Sequence, residues 1–556
     1  MGLKLRNFYG FHVASFFFMT IVGAVLIHYV EGKQAVDCFF MASSAVTDTG
    51  LTSFNFEITK LPTQIIVISL VFLGSYLPWT LVPVVIRRNF LIQNFNEPIG
   101  HDNPCINEDE SSPLLKKVPL YTHSMEYLAL TRLLIVVFCY VLFFYFFGFI
   151  TIGLRFYFSL EARQIAQEVG GCVWFTIFHV ISAFTNAGVS LFASSLEPFR
   201  HDYFILIPIS ILILSGQAFF PIFLRLVIFQ RSKTSKYAPV HNWLLDHGRQ
   251  VYTHLFSSIE TKFLLFWNIT FFIVQFSGFF IFDQDNLPGD LQTSALNAYF
   301  MTVSTRVTGF STINLSKLSE PMLVMMILLQ VFAAAPFLSA LRRSAESVTS
   351  KKRRDCSGVF HAIRRAWRAQ QTDPFGRDIF WLYSCFFLVT LSVYERLSGF
   401  MFHLLYEVSS AYGNIGLSLG WPTVESSFAT VCGPLGKFVI ALIMLAGRHR
   451  NLPASIDKAV NTTTFEGLAE EVLDILPKST LDKMGIRQKS FSNAKVARIH
   501  QSVALVVGAY NDETVHSNAS CMTFPPKLTN RDLKKYIQKK NALPSISLVF
   551  GKKSCI

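Results

Sequence analysis

One short segment recurs four times in the sequence, each time between strongly apolar stretches. The clearest copy, at residues 409–417, reads SSAYGNIGL. The other copies keep the small residues and a glycine followed by an apolar side chain: SAVTDTGL at 44–51, SAFTNAGV at 182–189 and VSTRVTGF at 303–310. The copy at 303–310 is the weakest match, and the first copy has Asp48 where two others have Asn. Recurrence at roughly regular intervals predicts a chain built from structural repeats.

The surroundings of each copy indicate what one repeat looks like. Each copy lies between two apolar segments, and its first residues could form a few helical turns. The pattern predicts a membrane helix, a re-entrant half-helix ending in a glycine-containing loop, and a second membrane helix. Non-helical backbone at membrane depth is tolerated only where it is buried in protein or lines an aqueous cavity. One copy would fit ordinary close packing of helices through small residues, but four copies indicate a shared aqueous pathway.

The composition is that of a membrane protein. Hydrophobic residues make up 51% of the 556 residues, Phe occurs 56 times, and 15% of the residues are charged. Such an excess of apolar residues is typical of chains with several membrane spans. The nine cysteines have no CxxC pair and no regular spacing, so the sequence predicts neither a zinc site nor a disulfide framework.

The net charge of +13 could indicate nucleic-acid binding, but its distribution favours a membrane protein. Lys and Arg are concentrated in three connectors between the predicted hairpins, at residues 87–132, 225–262 and 342–377. This positive-inside bias predicts that the connectors and both termini are cytosolic. The most basic connector, 342–377, is expected to contact anionic lipid headgroups rather than nucleic acid.

The apolar segments divide the chain into four predicted repeats and a polar remainder. Repeat A covers residues 1–90, repeat B 127–230, repeat C 262–342 and repeat D 377–450. Residues 457–556 are predicted to form a cytosolic C-terminal region. The predicted fold class is an all-α membrane protein.

Three stretches carry a resemblance to a known family: STRVTGF at 304–310, YEVSSAYGNIGL at 406–417 and GRHRNLP at 447–453. With four helix, loop, helix units, the chain resembles the Trk/Ktr/HKT superfamily of potassium and sodium transporters over about residues 1–460. The closing motif and the first-loop glycine look closer to the fungal Trk type than to the plant sodium-selective branch. The resemblance implies four repeats in a pseudo-fourfold arrangement around one central pore.

The resemblance also assigns a selectivity filter, with one glycine from each repeat: Gly50, Gly188, Gly309 and Gly416. The residues directly before them would flank the filter: Thr49, Ala187, Thr308 and Ile415. K⁺ would bind at the backbone carbonyl oxygens of these loops, which replace its hydration shell. Glycine would permit the backbone angles and close approach that this requires. In the family a serine in the first loop accompanies Na⁺ preference, so Gly50 favours K⁺.

Two further features are expected to control conduction. The family's positively charged residue in the last span falls on Lys437, which would repel cations below the filter or, alternatively, snorkel to the outer surface. The family's intramembrane gating segment falls on Ala333, Ala334, Ala335 and Pro336. The proline either belongs to a gate or kinks an ordinary span.

Polar residues near the glycines are expected to support the loops rather than bind the ion. Four of them would brace the loops by hydrogen bonds: Thr47, Thr185, Thr308 and Asn414. The half-helices should direct their partly negative C-terminal ends at the pathway, which favours a cation there. Arg306 needs a partner if it is buried, and Glu407 is a candidate.

Other functions stay open on the sequence alone. The same fold could carry Na⁺, or Na⁺ together with K⁺. A membrane-embedded metalloenzyme is a remote alternative, since His179, His403 and Glu407 lie near the half-helices without any compact ligand spacing. No enzymatic activity and no cofactor are expected. The expected partners are K⁺ or Na⁺, membrane lipid and a second copy of the chain, in a plasma-membrane homodimer with one pore per protomer.

Overall fold

The computed structural model of the protein describes residues 8–96, 113–332, 374–393, 400–422 and 426–450. The chain divides into two compact units, Met1–Asn96 with Met125–Asn461, and Glu97–Ser124 with Thr462–Ile556. Of the second unit the structure describes residues 113–124, which are helical. The predicted C-terminal region 457–556 and the predicted gating residues 333–336 lie outside the described residues.

Every regular element in the described ranges is helical, and the helices fall into four groups along the chain. Group A contains α1 (Phe8–Glu31), the short helix α2 (Ala35–Val46), α3 (Leu61–Gly74) and α4 (Tyr76–Asn96). Helices α3 and α4 meet at a bend of 44°. The sequence predicts a single span over 61–86 that stops at Arg87 and Arg88. The structure breaks this span at Ser75, and its second part continues past both arginines.

Group B begins with the longest helix of the described chain, α5 (Pro113–Phe158). It is followed by α6 (Leu160–Gln167) and the short helix α7 (Cys172–Thr185). Ser159 caps α6, because its side chain accepts a hydrogen bond from the Ala162 amide. For this repeat the sequence predicts the half-helix over 172–187. The structure confirms it as α7, which ends two residues earlier.

The returning half of group B is a broken span. Helix α8 (Tyr203–Ile213) leads into a π-helical segment, Leu214–Ala218, and then into α9 (Phe220–Thr234), with a bend of 85°. From the sequence, either Pro208 or Pro221 could kink this span. Pro208 lies inside α8, and Pro221 occupies the first turn of α9. A proline in the first turn lacks only an N–H that would have had no helical partner. The break therefore falls at the π segment next to Pro221.

A basic connector joins groups B and C through two short helices, α10 (Ala238–Asp246) and α11 (Gly248–Val251). Group C then consists of α12 (Ser258–Phe282), α13 (Leu291–Ser304) and α14 (Glu320–Phe332). Helix α12 starts with a capping box, in which Ser257 and Glu260 satisfy each other's backbone amides.

Group D consists of α15 (Pro374–Val393), the short helix α16 (Met401–Gly413) and α17 (Pro434–Arg450). Residues Leu404 and Tyr406 to Tyr412 of α16 are buried, so this helix is enclosed by protein rather than lipid along most of its length. Each of the four groups thus contains a short, largely buried helix, α2, α7, α13 or α16, between its first and last helices.

Each of the four groups contacts the next one along the chain, and the last group contacts the first. Helix α3 contacts α7, α8 contacts α13, and α14 contacts α16; α17 of the last group then contacts α2 of the first. Contacts between successive groups, with a final contact from the last to the first, give a closed arrangement. The short helices α2, α7, α13 and α16 all take part in these contacts.

Three helices of the described chain are long and apolar enough to cross a membrane: Gly10–Glu31, Met125–Phe158 and Ser258–Phe282. The number rises to six if each of three bent helix pairs counts as one span. Many large apolar side chains on these helices are exposed, for example Phe18 at 68% and Phe143 at 62%. Exposed aromatic side chains of this kind indicate surfaces that face lipid.

The π segment is held by a single side chain from α5, and this contact can be tested. The Tyr140 hydroxyl donates a hydrogen bond of 2.7 Å to the Ser215 carbonyl oxygen. In Tyr140→Phe that buried carbonyl would lose its donor, at a cost of about 1–3 kcal/mol. We expect a lower apparent melting temperature for the purified full chain in detergent. Tyr145→Phe is the matched control, since its hydroxyl makes no hydrogen bond with a described residue; equal melting of both variants would contradict the role of Tyr140.

Candidate functional site

Three of the four short helices end in the same backbone conformation. The chain leaves α2, α7 and α16 through a left-handed residue, namely Asp48 (φ 53°), Asn186 (φ 66°) and Asn414 (φ 53°). In each case the next amide donates to the carbonyl oxygen five residues earlier: Thr49 to Ser44 at 2.9 Å, Ala187 to Ser182 at 3.0 Å and Ile415 to Ser410 at 3.0 Å. Asn and Asp tolerate this conformation better than other side chains. The recurring Asp or Asn therefore turns the chain out of each helix.

The loop after α13 differs from the other three. Gly309 follows Ser304 by five positions, whereas Gly50 follows Ser44 by six. The amides of Val307 and Thr308 both donate to the Ser304 carbonyl oxygen, and no left-handed residue occurs between Ser304 and Gly309. Gly309 itself has no positive φ, unlike Gly50 (90°), Gly188 (68°) and Gly416 (94°). The expectation that all four glycines need unusual backbone angles therefore holds for three of them.

The four glycines lie against one another's loops. A Cβ added to any of them would fall at or below 3.0 Å from backbone atoms of another loop. Gly50 faces the second loop, Gly188 the third, Gly309 the fourth and Gly416 the first. The backbone atoms they meet belong, in that order, to Ala187, Gly309, Gly416 and Thr49. The structure thus brings all four predicted glycines together in cyclic order, with no room for a side chain between the loops.

Three of the four predicted flanking residues, Thr49, Ala187 and Thr308, lie at the same contacts. The carbonyl oxygens of Ala187 and Thr49 are the atoms that an added Cβ on Gly50 or Gly416 would overlap. The Thr308 hydroxyl lies 2.7 Å from the position of a Cβ on Gly188. Ile415 is fully buried, and its side chain packs beside Gly413. The loops therefore touch mainly through backbone, which supplies carbonyl oxygens.

Hydroxyl groups of the recurring motif hold the loops to the helix ends. Ser182 donates to the Val189 carbonyl oxygen at 2.8 Å, Ser304 donates to the Phe310 carbonyl oxygen, and Ser410 accepts from the Gly416 amide at 3.0 Å. Each bond spans the loop from its helix to the residue at or just after its glycine. The motif serines therefore brace three of the loops, a role that the sequence analysis did not assign to them.

The residues that were expected to brace the loops do so in part. Thr47 bonds to the Thr49 hydroxyl at 2.7 Å, and Asn414 donates to the same hydroxyl at 2.9 Å and to the Met444 carbonyl oxygen at 2.8 Å. Asn414 thereby links the fourth loop to the first. Thr185 instead bonds within its own helix, to the Ile181 carbonyl oxygen at 2.9 Å. The expected brace by Thr308 is wrong, because its buried hydroxyl has no hydrogen-bond partner among the described residues.

A buried ion pair joins the first loop to the last helix. The Arg448 guanidinium donates to Asp48 Oδ2 at 2.8 Å and to the Gly74 carbonyl oxygen at 2.6 Å. The two side chains are only 9% and 2% exposed. Asn186 and Asn414, at the corresponding turns of two other loops, are neutral and need no counter-charge. The Asp at position 48 was the sequence signal for this pair, but its partner lies 400 positions further along.

Comparison with known proteins identifies the family. The family model described as "TrkH: Cation transport protein" matches residues 119–465, more than half of the chain. The chain belongs to the TrkH family. This confirms the resemblance to the Trk/Ktr/HKT superfamily that was drawn from the loop motifs.

Relatives of this TrkH-family chain include several eukaryotic proteins. It is 36% identical over 350 residues to a putative potassium transport protein of Dictyostelium discoideum, covering 61% of this chain and 50% of that protein. It is 29% identical over 309 residues to the potassium transporter TRK1 of Candida albicans, covering 52% and 29%. It is 27% identical over 372 residues to potassium transport protein 2 of Schizosaccharomyces pombe, covering 60% and 42%. The matches thus span half or less of each of these relatives, and they agree with the fungal-like Trk type.

The crystal structure of the potassium transporter TrkH from Vibrio parahaemolyticus is also similar, with 15% identity and a TM-score of 0.48 over 83% of this chain and 86% of that one. Family membership, together with the apolar helices, makes the chain a multi-pass membrane protein.

The position of Lys437 corrects one sequence-based assignment. Its Nζ lies 2.6 Å from Asp37 Oδ1, in the first turn of α2. Helix α2 has 12 residues and is therefore about 18 Å long. Gly50 follows its other end, so Lys437 does not lie beside the predicted filter and does not fit a barrier there. In this TrkH-family chain the cation at the filter end of the last helix is Arg448.

A second set of glycines supports the short helices from behind. A Cβ on Gly74 would overlap the Val46 carbonyl oxygen, one on Gly216 the Phe184 carbonyl oxygen, and one on Gly447 the Tyr412 carbonyl oxygen. These carbonyls belong to the last turns of α2, α7 and α16, where helical partners are missing. Gly74 precedes the bend between α3 and α4, and Gly216 lies in the π segment. This set was not predicted from the sequence, although glycine inside an apolar span was a usable signal.

The suggested pairing of Arg306 with Glu407 is wrong. The Arg306 guanidinium donates to the Asn268 carbonyl oxygen and to Asn268 Oδ1, both at 3.2 Å. Glu407 Oε1 instead accepts from the Ala429 amide at 3.0 Å, next to the 3₁₀ turn before α17. Asn268, on α12, thus serves as the partner of Arg306.

The residues considered for a metalloenzyme have structural partners. The His179 ring nitrogens lie 3.0 Å from the Phe175 carbonyl oxygen and 3.1 Å from the Ser190 hydroxyl. The His403 ring packs against Phe400 and Phe428. In the parts of the chain that the structure describes, no group of three or more His, Cys, Asp or Glu could hold a metal ion. These contacts account for the histidines without a metal.

The Asp48–Arg448 pair allows a double-mutant test. Arg448→Gln would leave Asp48 buried without its counter-charge, at a cost of about 3–5 kcal/mol. In the double variant Asp48→Asn with Arg448→Gln, position 48 carries the same residue as positions 186 and 414. We expect the double variant to melt clearly above the Arg448→Gln single variant, in detergent-purified full chain. Strictly additive losses would show that the two side chains do not interact.

Proposed function

We propose that the chain carries K⁺ across a membrane through a pathway formed by its four glycine loops, with a channel-like mechanism. The observation that carries this proposal is the cyclic contact of Gly50, Gly188, Gly309 and Gly416, each against the next loop. Such contacts are expected where four loops surround a common axis. The naming of relatives as potassium transporters agrees with K⁺ as the transported ion.

The proposed filter works by replacing water around the ion. A K⁺ ion enters a protein only if oxygen dipoles substitute for its hydration shell. The contacting loops bring backbone close to backbone, and no side chain fits between them at the glycines. Four such loops can supply carbonyl oxygens from several directions at one level. The serine bonds from Ser182, Ser304 and Ser410 hold these loops in place.

Electrostatics around the loops suit a cation. The short helices α2, α7, α13 and α16 all end at the loops, so their partly negative C-terminal ends lie there. The Asp48 carboxylate adds one negative charge, and Arg448 balances it at 2.8 Å. In this proposal Arg448, rather than Lys437, is the cation close to the filter. A neutralised pair stabilises the first loop without binding the ion so tightly that it could not leave.

The alternative of Na⁺ transport, or of Na⁺ and K⁺ symport, uses the same fold. Gly50 argues for K⁺, because a side chain at this position would press on the Ala187 carbonyl oxygen and alter the ring of oxygens. The proposal has four further parts. Ala333 to Pro336 act as a gate, and the repeats have the limits 1–90, 127–230, 262–342 and 377–450. The protein is a homodimer with one pore per protomer, and it lies in the plasma membrane with both termini in the cytosol.

The proposed transport can be measured directly with the full chain. We expect expression to restore growth at low K⁺ in cells that lack their own K⁺ uptake systems, and reconstituted protein to conduct K⁺. Reversal potentials in mixed K⁺ and Na⁺ then separate K⁺ selectivity from the Na⁺ alternative. Reconstituted, folded protein that conducts neither ion would overturn the proposal.

The filter assignment predicts a specific change of selectivity. In Gly50→Ser the new side chain meets the Ala187 carbonyl oxygen and a φ of 90°, so the first loop must shift. We expect the K⁺ to Na⁺ permeability ratio to fall, on the order of tenfold, which corresponds to about 1.4 kcal/mol. Gly153→Ser is the matched control, because a Cβ there has nothing within 4 Å. An unchanged ratio in a well-expressed Gly50→Ser protein would count against the filter.

A further inference from the structure

A groove of about 550 Å³ lies between α5 and α9, outside the loop region. Its walls are mostly apolar and come from both helices: Ile135, Val136 and Phe143 of α5, and Phe223, Leu226 and Val227 of α9. Phe143 is 62% exposed and Leu226 is 61% exposed, so the groove is open along its length. An apolar groove on the outside of a membrane helix pair faces the acyl chains of lipids.

One end of this groove is basic. Arg132 of α5 and Arg231 of α9 line it together with Ser235, Tyr237 and His241 from the start of the basic connector. The Arg132 guanidinium stacks on the Tyr237 ring at 3.3 Å, which orients it. Neither arginine makes an ion pair with a described residue. Two positively charged side chains thus line the groove without an ion-pair partner among the described residues.

His241 lies at the same basic end of the groove. Burial, and to a lesser extent the charges of Arg132 and Arg231, lower the pKa of the His241 imidazole. Its Nδ1 lies 2.8 Å from the Tyr237 carbonyl oxygen. Both arginines and this ring line the same end of the groove.

We propose that this groove binds an anionic phospholipid, with the phosphate at Arg132 and Arg231 and an acyl chain along the apolar walls. The dimensions agree with one leaflet. From Arg132 to Phe143 the helix rises about 17 Å, and half of a bilayer core is about 15 Å thick. Basic pockets between membrane helices on the cytosolic side are suited to acidic headgroups. A zwitterionic lipid would offer the same chains but no net negative charge for the two arginines.

Two side chains that line the groove also contact the segments that hold the second glycine loop. Tyr140 lines the groove, and its hydroxyl bonds to Ser215 in the π segment. Phe144 also lines it and stacks on Phe184 of α7 at a centroid distance of 6.1 Å. A lipid in the groove therefore packs against side chains that hold the end of α7.

The binding test uses native mass spectrometry of the full chain in detergent, titrated with dioleoyl phosphatidylserine or dioleoyl phosphatidylcholine. We expect tighter binding of the phosphatidylserine. In Arg132→Gln with Arg231→Gln this preference should fall on the order of 30-fold, from two charges near the membrane surface. Lys233→Gln is the matched control, since Lys233 lies on the same helix, outside the groove, over the Phe229 ring. If Lys233→Gln reduced the preference for phosphatidylserine as much as the double variant does, the proposed site at Arg132 and Arg231 would be wrong.

A second measurement does not depend on those variants. Phosphatidylserine with a diazirine on its acyl chain, reconstituted with the unmodified chain, should cross-link to peptides of α5 and α9 around Cys139 and Leu226. Cys139→Trp, which fills the exposed groove without changing its charge, should remove that cross-link. The proposal would be overturned if cross-links were spread evenly over all exposed apolar helices. It would also be overturned if a second copy of the chain, instead of lipid, covered the groove. These readouts do not require transport, so they fail or succeed independently of the proposed function.

Discussion

The direct contact of backbone with backbone at the four glycines is the constraint on which the rest of the site depends. At these contacts an added Cβ would overlap carbonyl or amide atoms of the neighbouring loop, or lie 2.9 Å from them. Loops this close can be held only if the short helices that deliver them are fixed in depth and direction. The closed series of contacts from α3 to α7, α8 to α13, α14 to α16 and α17 to α2 provides that fixation. The large buried core therefore holds in place four glycine positions that have no side chain of their own.

A second set of glycines also allows close contact between backbones, here between the short helices and the helices behind them. Gly74, Gly216 and Gly447 bring the returning helices against the final carbonyl oxygens of the short helices. Two of the three also lie at helix breaks, at the 44° bend in group A and at the 85° bend in group B. A helix that must pass close to another backbone and then turn away needs both a missing side chain and a local change of helical geometry. This explains why glycine lies at the breaks rather than elsewhere in those spans.

Part of this could be predicted from the sequence, and the limits have physical reasons. A motif repeated four times between apolar segments predicted the short helices and the four glycines, because each copy is a local pattern. The Asp48–Arg448 pair depends on two residues 400 positions apart, and only the fold brings them together. Lys437 and Arg448 lie on one helix, α17, and the sequence does not tell which end of it meets the first loop. Pro208 and Pro221 marked two places where their span could bend, but the sequence did not indicate the π segment that forms at the break before Pro221.

The four loops are similar but not equivalent, and the charge pair suggests why a single chain benefits from this. Four identical subunits with an aspartate at the turn would place four carboxylates around one narrow site, where like charges within several ångströms repel strongly. In this chain one turn carries Asp48, two carry asparagine, and the loop after α13 lacks the turn altogether. One arginine is then sufficient to balance the ring and to join the last helix to the first loop. Separate repeats in one chain can thus divide the tasks: the ion pair closes the circle between the last and first groups, and the uncharged turns shape the loops.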